Sequence, residues 1–455
     1  MNDKPQPETA SSVALPKGIG NAFLFSTFNA LSFQMVLGSP MVLYARSLNA
    51  SATVLGIIAG MMPLLVIFQI PAARHIARTG YRRFVYAGWG TRVAFIFGIA
   101  LVPLAGAFLN STTQLALLLF LLFCFNLSRG ISSAGWLPWV TTLVPLEVRG
   151  KYLARDAICV HVASCAAFLL AAACLGRQSL PWHFALIFGF SGIAGAVSLI
   201  FLKRIPDVDP PAEERAGRGA VPWFAIASHP PFRKLLVMNV AWSVAYGGIS
   251  AFTVAYLRVG AGLAEGTIMV VTALAFMGGL TGLASFASVA DRFGSKPVLT
   301  FGLWVWLAIL IGWALLAGGV VPARFRFLVA IEVLMGFAYA LVNVNNTRLA
   351  MMLVPEMGRS HFFAMFSVVA NLALGLAPVG WGLLIDAFGD RRYAIGAFEL
   401  NRFAFFFLCA LAVFAVTLAL CRRLDEPRAR DFDEVIRDVL SVPQRLWLRI
   451  FPRGQ

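Results

Sequence analysis

Twelve apolar stretches, each of about 20 residues or more, dominate the chain, and that is the length at which a helix crosses a hydrocarbon core roughly 30 Å thick. They fall at 19–44, 54–76, 83–108, 113–140, 152–175 and 182–202, then at 235–256, 267–289, 298–320, 325–350, 362–388 and 398–421. With 59% hydrophobic and 13% charged residues, a water-soluble fold could not hide this much apolar surface, since soluble domains carry about 25% charge. The expected fold is an all-α membrane protein with twelve transmembrane helices in two pseudo-symmetric six-helix bundles.

A formal charge of +16 raises the possibility of a nucleic-acid partner, but the basic residues sit in loops between the apolar spans and do not form a stripe. Placing the N-terminus inside puts most of the 37 Lys and Arg on the cytoplasmic side. Only Arg46, Arg177, Arg258, Arg324, Arg326, Arg391, Arg392 and Arg402 fall in the opposite loops. That asymmetry predicts a multi-pass protein of the plasma or bacterial inner membrane with both termini cytoplasmic, and no nucleic-acid partner. The six cysteines lie in or at the ends of apolar runs with neither CxxC nor metal-ligand spacing, so no metal or cofactor is expected.

The organisation reads as a polar N-terminal tail at 1–18, a first bundle at 19–202, a proline-rich cytoplasmic linker at 203–231, a second bundle at 232–422 and a cytoplasmic tail at 423–455. The first tail lacks the hydrophobic core of a signal peptide, so span 1 is a retained anchor. In the last tail, Gln444 to Phe451 mixes Arg445 and Arg449 with Leu446, Trp447, Ile450 and Phe451, a composition that suits an amphipathic segment on anionic lipid. A solvated tail is the alternative.

The two bundles read as a duplication. Tyr44-Ala45-Arg46 returns as Tyr256-Leu257-Arg258 at an offset of 212, and Arg78-Thr79-Gly80-Tyr81-Arg82 returns as Arg292-Phe293-Gly294-Ser295-Lys296 at 214. Leu143-Val144-Pro145 with Arg149 returns as Leu353-Val354-Pro355 with Arg359 at 210. Three local matches at nearly one offset point to a repeated six-helix unit. Because six is even, both units enter the membrane from the same side, as parallel repeats do.

The segment Asp291-Arg292-Phe293-Gly294-Ser295-Lys296 resembles the conserved loop after spans 2 and 8 of the major facilitator superfamily of secondary transporters. In the first half Arg78, Gly80 and Arg82 match the same pattern, with Ala77 where the family has an acid. The resemblance covers nearly the whole chain through its six-plus-six layout. It implies a gating role on the cytoplasmic side for Arg78, Gly80, Arg82, Asp291, Arg292, Gly294 and Lys296. It also implies a central cavity lined by spans 1, 4, 7 and 10. Span 5 lacks the GxxxGPxxGG pattern of the drug/proton antiporters, which argues against multidrug export.

Positions three, four and seven apart share a helix face, and by that spacing the same four spans carry polar stripes. Span 1 has Thr27, Ala30, Gln34 and Gly38; span 4 has Asn126, Arg129, Ser133 and Trp136. Span 7 has Asn239, Trp242, Tyr246 and Ser250; span 10 has Gly336, Tyr339, Asn343 and Asn346. Candidate substrate-binding residues are therefore Arg129, Gln34, Asn126, Trp242, Tyr246, Asn343 and Asn346. Each has a structural counter-reading: aromatic packing for Trp242 and Tyr246, helix-to-helix hydrogen bonds for the asparagines, and pairing inside the bundle for Arg129. A guanidinium in mid-membrane costs about 2.5–3.5 kcal/mol on insertion scales, so Arg129 needs a wet cavity or a partner. If it faces the cavity, its planar fork favours a carboxylate-bearing or otherwise anionic substrate. Arg92 in span 3 is expected to snorkel or pair near the inner surface.

Glu332 and His161 are the candidates for proton coupling. Their counter-readings are a hydrated carboxylate near the outer surface and a hydrogen-bonded packing histidine. No GxxxxGK[ST] loop, HExxH or GxSxG is present, so neither ATP hydrolysis nor intramembrane catalysis is expected. The leading expectation is a secondary active transporter, symporter or uniporter, for a small polar organic solute, acting as a monomer by alternating access. The alternative is a transport-inactive membrane sensor or assembly factor of the same fold.

Overall fold

The computed structural model describes residues 18–208, 223–353, 359–424 and 426. The segment from Gln444 to Phe451 and most of both tails lie outside the described residues. Twelve helices among the described residues are long and apolar enough to span a membrane. In the first half these are α1 Gly20–Ser47, α2 Ala52–Ile76, α3 Tyr81–Ala107, α4 Ser111–Leu143, α5 Lys151–Leu175 and α6 Pro181–Lys203. In the second they are α7 Pro230–Gly260, α8 Glu265–Ser285, α9 Ser295–Ala317, α10 Phe325–Leu353, α11 Phe362–Phe388 and α12 Arg402–Arg422. All twelve expected spans are thus present, and only the bounds shift by a few residues.

Local chemistry sets several of the helix starts. Asn110 accepts from the Thr113 N–H at 2.8 Å at the head of α4, and Asn401 accepts from Phe403 and Ala404 at 3.1 and 3.0 Å at the head of α12. Each satisfies backbone donors that a first helical turn leaves without partners. Large apolar side chains such as Phe120 and Ile193 are exposed at 60% and 59%. They form an outer surface that only a hydrocarbon solvent suits.

Two elements were not anticipated. The linker contains a short helix, Trp223–Ser228, and the loop between α11 and α12 folds into an antiparallel hairpin of β1 Tyr393–Ile395 and β2 Phe398–Leu400.

The halves meet chiefly along two helix pairs, α2 with α11 and α5 with α8, and also where α1 and α7 continue beyond Gly38 and Gly248. Glycine makes the first contact possible: a Cβ on Gly56 would strike the Pro378 carbonyl, and one on Gly60 the Gly375 carbonyl. Small residues at this spacing let helix backbones touch in lipid, where no hydrophobic force draws helices together.

Hydrogen bonds between the halves concentrate on one face. Among the described residues, every hydrogen bond between the halves lies opposite the termini: Gly266 N–H to Gly176 O at 3.0 Å, and Ala52 and Thr53 to Asp386. One continuous apolar core, from Met35 and Tyr44 to Trp242 and Trp313, joins both halves there and continues down the second half to Cys421 and Leu424. Towards the termini the cores separate. Ile19, Phe25, Trp89, Trp139 and Tyr152 pack within the first half, and Ile226, Phe232 and Phe362 within the second.

Candidate functional site

The first helix of each half is broken. Helix α1 stops at Leu37 and resumes at Ser39 with Pro40 in its first turn, the break falling at an extended Gly38. Helix α7 stops at Tyr246 and resumes at Ile249, and Gly248 between them adopts φ 85°, a backbone state that strains any residue with a Cβ. Breaks at matching depths in the two repeats free backbone groups, and in a membrane such backbone is tolerated where it lines a cavity.

A cavity of 280 Å³ lies at these breaks, between the halves. From the first half Gln34, Ser39, His161 and Phe168 line it; from the second come Tyr246, Ser250, Phe276, Trp306, Glu332 and Tyr339. Gln34 donates from Nε2 to Ser164 Oγ at 2.9 Å, which holds its amide across the mouth of α5. His161 places Nδ1 2.9 Å from the Ala157 carbonyl. A carbonyl only accepts, so Nδ1 carries a proton, and Nε2 lies beside Gly279 on the cavity side.

The opposite wall is aromatic. Tyr246 stacks between Trp242 and Tyr339, with ring centroids 5.2 and 5.0 Å away, and meets Trp306 edge-on at 5.7 Å. Tyr339 ends the stack and is 39% exposed, leaving a free ring face on the cavity. Glu332 stands two turns away on the same face of α10. It is 4% exposed, lines the cavity together with Tyr246, and has no hydrogen bond or ion pair among the described residues.

A second polar group lies inside the first half. Arg92 on α3 is fully buried and donates from Nη2 to Asn29 Oδ1 on α1, an oxygen that also accepts from Trp89 Nε1 at 3.1 Å. The guanidinium lies over the Trp89 and Phe125 rings at 5.2 and 5.7 Å. Arg129 follows Phe125 by one turn on the same face of α4. Arg129 sits on α4 half a turn out of phase with the outward-facing Phe120, so its accessible surface opens to the bundle interior.

The structure brings Gln34, Tyr246, Glu332 and His161 to the central cavity. Trp242 backs the cavity through Tyr246 and does not line it. Asn343 is exposed on the cavity face of α10, outside the enclosed volume. Asn346 and Asn126 are turned to other work. Asn346 exchanges hydrogen bonds with Asn239 on α7, the Asn239-to-Asn346 bond measuring 2.9 Å. Asn126 donates to Leu122 O one turn back. Arg129 is interior but does not line the cavity, and Arg92 does not snorkel. The spacing of α3 could not have shown this, because its partners lie on α1 and α4.

At the termini face the repeated loop motif is built twice. Gly80 and Gly294 take positive φ, 75° and 99°, as each chain turns into the next helix. Arg82 then pairs with Asp207 beyond α6 at 3.1 Å. In the second half Glu426 beyond α12 accepts from Ser295 and Lys296 N–H at 3.0 and 2.6 Å, and Lys296 Nζ donates to Leu424 O at 2.6 Å. Arg292 stacks on Phe293 at 5.0 Å, and Arg78 is exposed. Asp291 lies in the last turn of its helix.

Comparison with known proteins agrees with this architecture. The family model for the Major Facilitator Superfamily matches residues 22–288 and 261–454. Among solved structures, the nucleoside transporter NupG (D323A mutant) superimposes with a TM-score of 0.68 at 12% identity, over 90% of this chain and 100% of that one. A D-xylose-proton symporter gives 0.66 at 13% identity, over 91% and 99%. A POT family transporter in complex with 5-aminolevulinic acid gives 0.63 at 14% identity, over 91% and 98%. No relative was found among curated protein sequences.

Proposed function

From the premise that the chain belongs to the Major Facilitator Superfamily, whose members are transporters of small solutes and not enzymes, we propose that it carries a small polar organic solute through the cavity at Gln34, Tyr246 and Glu332. The two halves rock about that site in alternating access. The observation that carries the reading is the position of the cavity: it lies between the halves, where both lead helices break.

The excess of basic residues on the termini face supports a cytoplasmic location for both termini. On that assignment the described state is closed to the outside and open inward. The free face of Tyr339 suits a ring or another planar group, and Gln34 and Ser250 supply hydrogen-bonding partners. Glu332, enclosed and without a cationic partner, is suited to exchange a proton with solvent as the halves rock, so that solute flux is coupled to protons. His161 is the other candidate for proton coupling on the cavity. The protein works as a monomer, since each chain holds a complete cavity.

Purified full-length protein in proteoliposomes tests this. Saturable uptake of a labelled solute from a metabolite panel, driven by an imposed pH gradient, is the expected result. Glu332→Gln should abolish gradient-driven accumulation while solute counterflow persists. Saturable binding with no flux would overturn the carrier and favour the transport-inactive sensor, the reading to which Ala77 in the first gate motif lends weight.

A further inference from the structure

We propose that Arg92 and Arg129 together form the receptor for an oxyanionic group, a carboxylate or phosphate, of the transported solute. This rests on the carrier reading above and names the class of its cargo.

Arg92 begins the argument. It has no exposed surface, yet Nε and Nη1 have no hydrogen-bond partner. Asn29 Oδ1 already accepts from both Arg92 and Trp89, so the one nearby acceptor is committed. The guanidinium lies within cation–π distance of the Trp89 and Phe125 rings, contacts that engage its charge without using its edge donors.

Charge makes the same point. Buried guanidinia are ordinarily paired with carboxylates. Here Arg92 lies over the Phe125 ring, and Arg129 follows one turn further along the same face of α4, so its neighbour across α3 and α4 is a second guanidinium, and neither forms an ion pair among the described residues. Two like charges on facing turns in a low-dielectric bundle repel one another, and a scaffold that holds them there gains most when an anion arrives between them. Arginine suits the task because its fork matches carboxylate and phosphate oxygens.

Location ties the pair to transport. Asn29 lies on α1, the broken helix whose next turns carry Gln34 and Gly38. Arg129 faces inward from α4, away from the lipid-facing Phe120. An anion bound here would touch the first half, while the aromatic wall of Tyr246 and Tyr339 belongs to the second. One solute bridging both would couple the halves.

The test uses full-length protein in phosphatidylcholine nanodiscs, titrated with inorganic phosphate, succinate and benzoate, and with the neutral succinamide and benzamide. At least one anion should raise the unfolding temperature and bind saturably, whereas its neutral counterpart should not. Arg129→Gln should weaken that binding about tenfold or more, the loss expected for a charge-assisted bond, and Arg129→Lys should restore only part of it. Arg92→Lys, which keeps the buried charge, should weaken it as well and guards against misfolding of Arg92→Gln. The proposal is overturned if none of these anions binds the unsubstituted protein, or if a bound anion is indifferent to both positions. Neutral solutes carried undiminished by Arg129→Gln would overturn this site and leave the carrier standing. Anions bound at the pair without flux in proteoliposomes would do the reverse.

Discussion

Asp386 near the end of α11 accepts both the backbone N–H and the hydroxyl of Thr53 at the start of α2, at 2.8 and 2.6 Å. A carboxylate of one half thereby caps a helix of the other. Ala52 N–H adds a third bond at 3.0 Å. Anions at helix N-termini are favoured by the free N–H groups and the helix dipole, so this contact holds the face opposite the termini shut.

Removing the cap should open that face. Because the site is exposed, the loss in Asp386→Ala is about 1–2 kcal/mol, a shift of roughly 5- to 30-fold in the balance between closed and open states. Spin labels on the α5–α6 and α7–α8 loops would report it as a longer distance population. An unchanged distance distribution would show that the cap does not govern closure.

The glycine contact beneath it makes a steric counterpart. Gly60→Leu pushes a side chain into the Gly375 carbonyl, and overpacking of a close backbone contact costs about 1–3 kcal/mol. The variant should lose thermal stability in detergent and favour the opened state in the same distance measurement. Gly90→Leu, at a position whose Cβ would meet open space, is the control and should change neither.

The spans and the repeat were legible because lipid imposes a length and duplication leaves offset copies of Arg82 and Lys296. The two equivalent loops after α2 and α8 followed directly. What a polar residue on a bundle helix faces was less legible. Asn346 and Tyr339 share a stripe by spacing, yet one bonds a neighbouring helix and the other fronts the cavity, and only the packing of α7 against α10 decides. Arg92 was missed for the same reason. Its partner Asn29 is 63 residues away, and nothing local distinguishes a guanidinium that turns inward from one that snorkels. The broken helices were hidden within apolar runs, although Gly38, Pro40, Gly247 and Gly248 are the residues that break them.

The Asn239–Asn346 pair predicts a coupling energy. Both amides are buried, at 2% and 8% exposure, so Asn239→Ala leaves a partner amide unsatisfied. Interhelical bonds of this kind in membranes measure about 0.6–1.7 kcal/mol. Asn239→Ala and Asn346→Ala should each lower the unfolding temperature, and the double variant should fall short of their sum. Strict additivity would mean that the two side chains do not act as a unit.

The two gate loops occupy equivalent places but are held by different physics, and that difference is measurable. Arg82 and Asp207 form a single ion pair with both side chains about two-fifths exposed, a setting in which such pairs contribute about 0–1 kcal/mol because solvent screens them. Glu426 instead receives the first two backbone donors of α9, Ser295 and Lys296, and those donors have no other partner once the carboxylate is gone. Asp207→Asn should therefore leave the unfolding temperature nearly unchanged, with whatever effect it has fading at high salt. Glu426→Ala should lower it by several degrees at any ionic strength, since helix capping is worth about 1 kcal/mol. Equal effects from the two substitutions would show that the loops are stabilised alike despite their different chemistry.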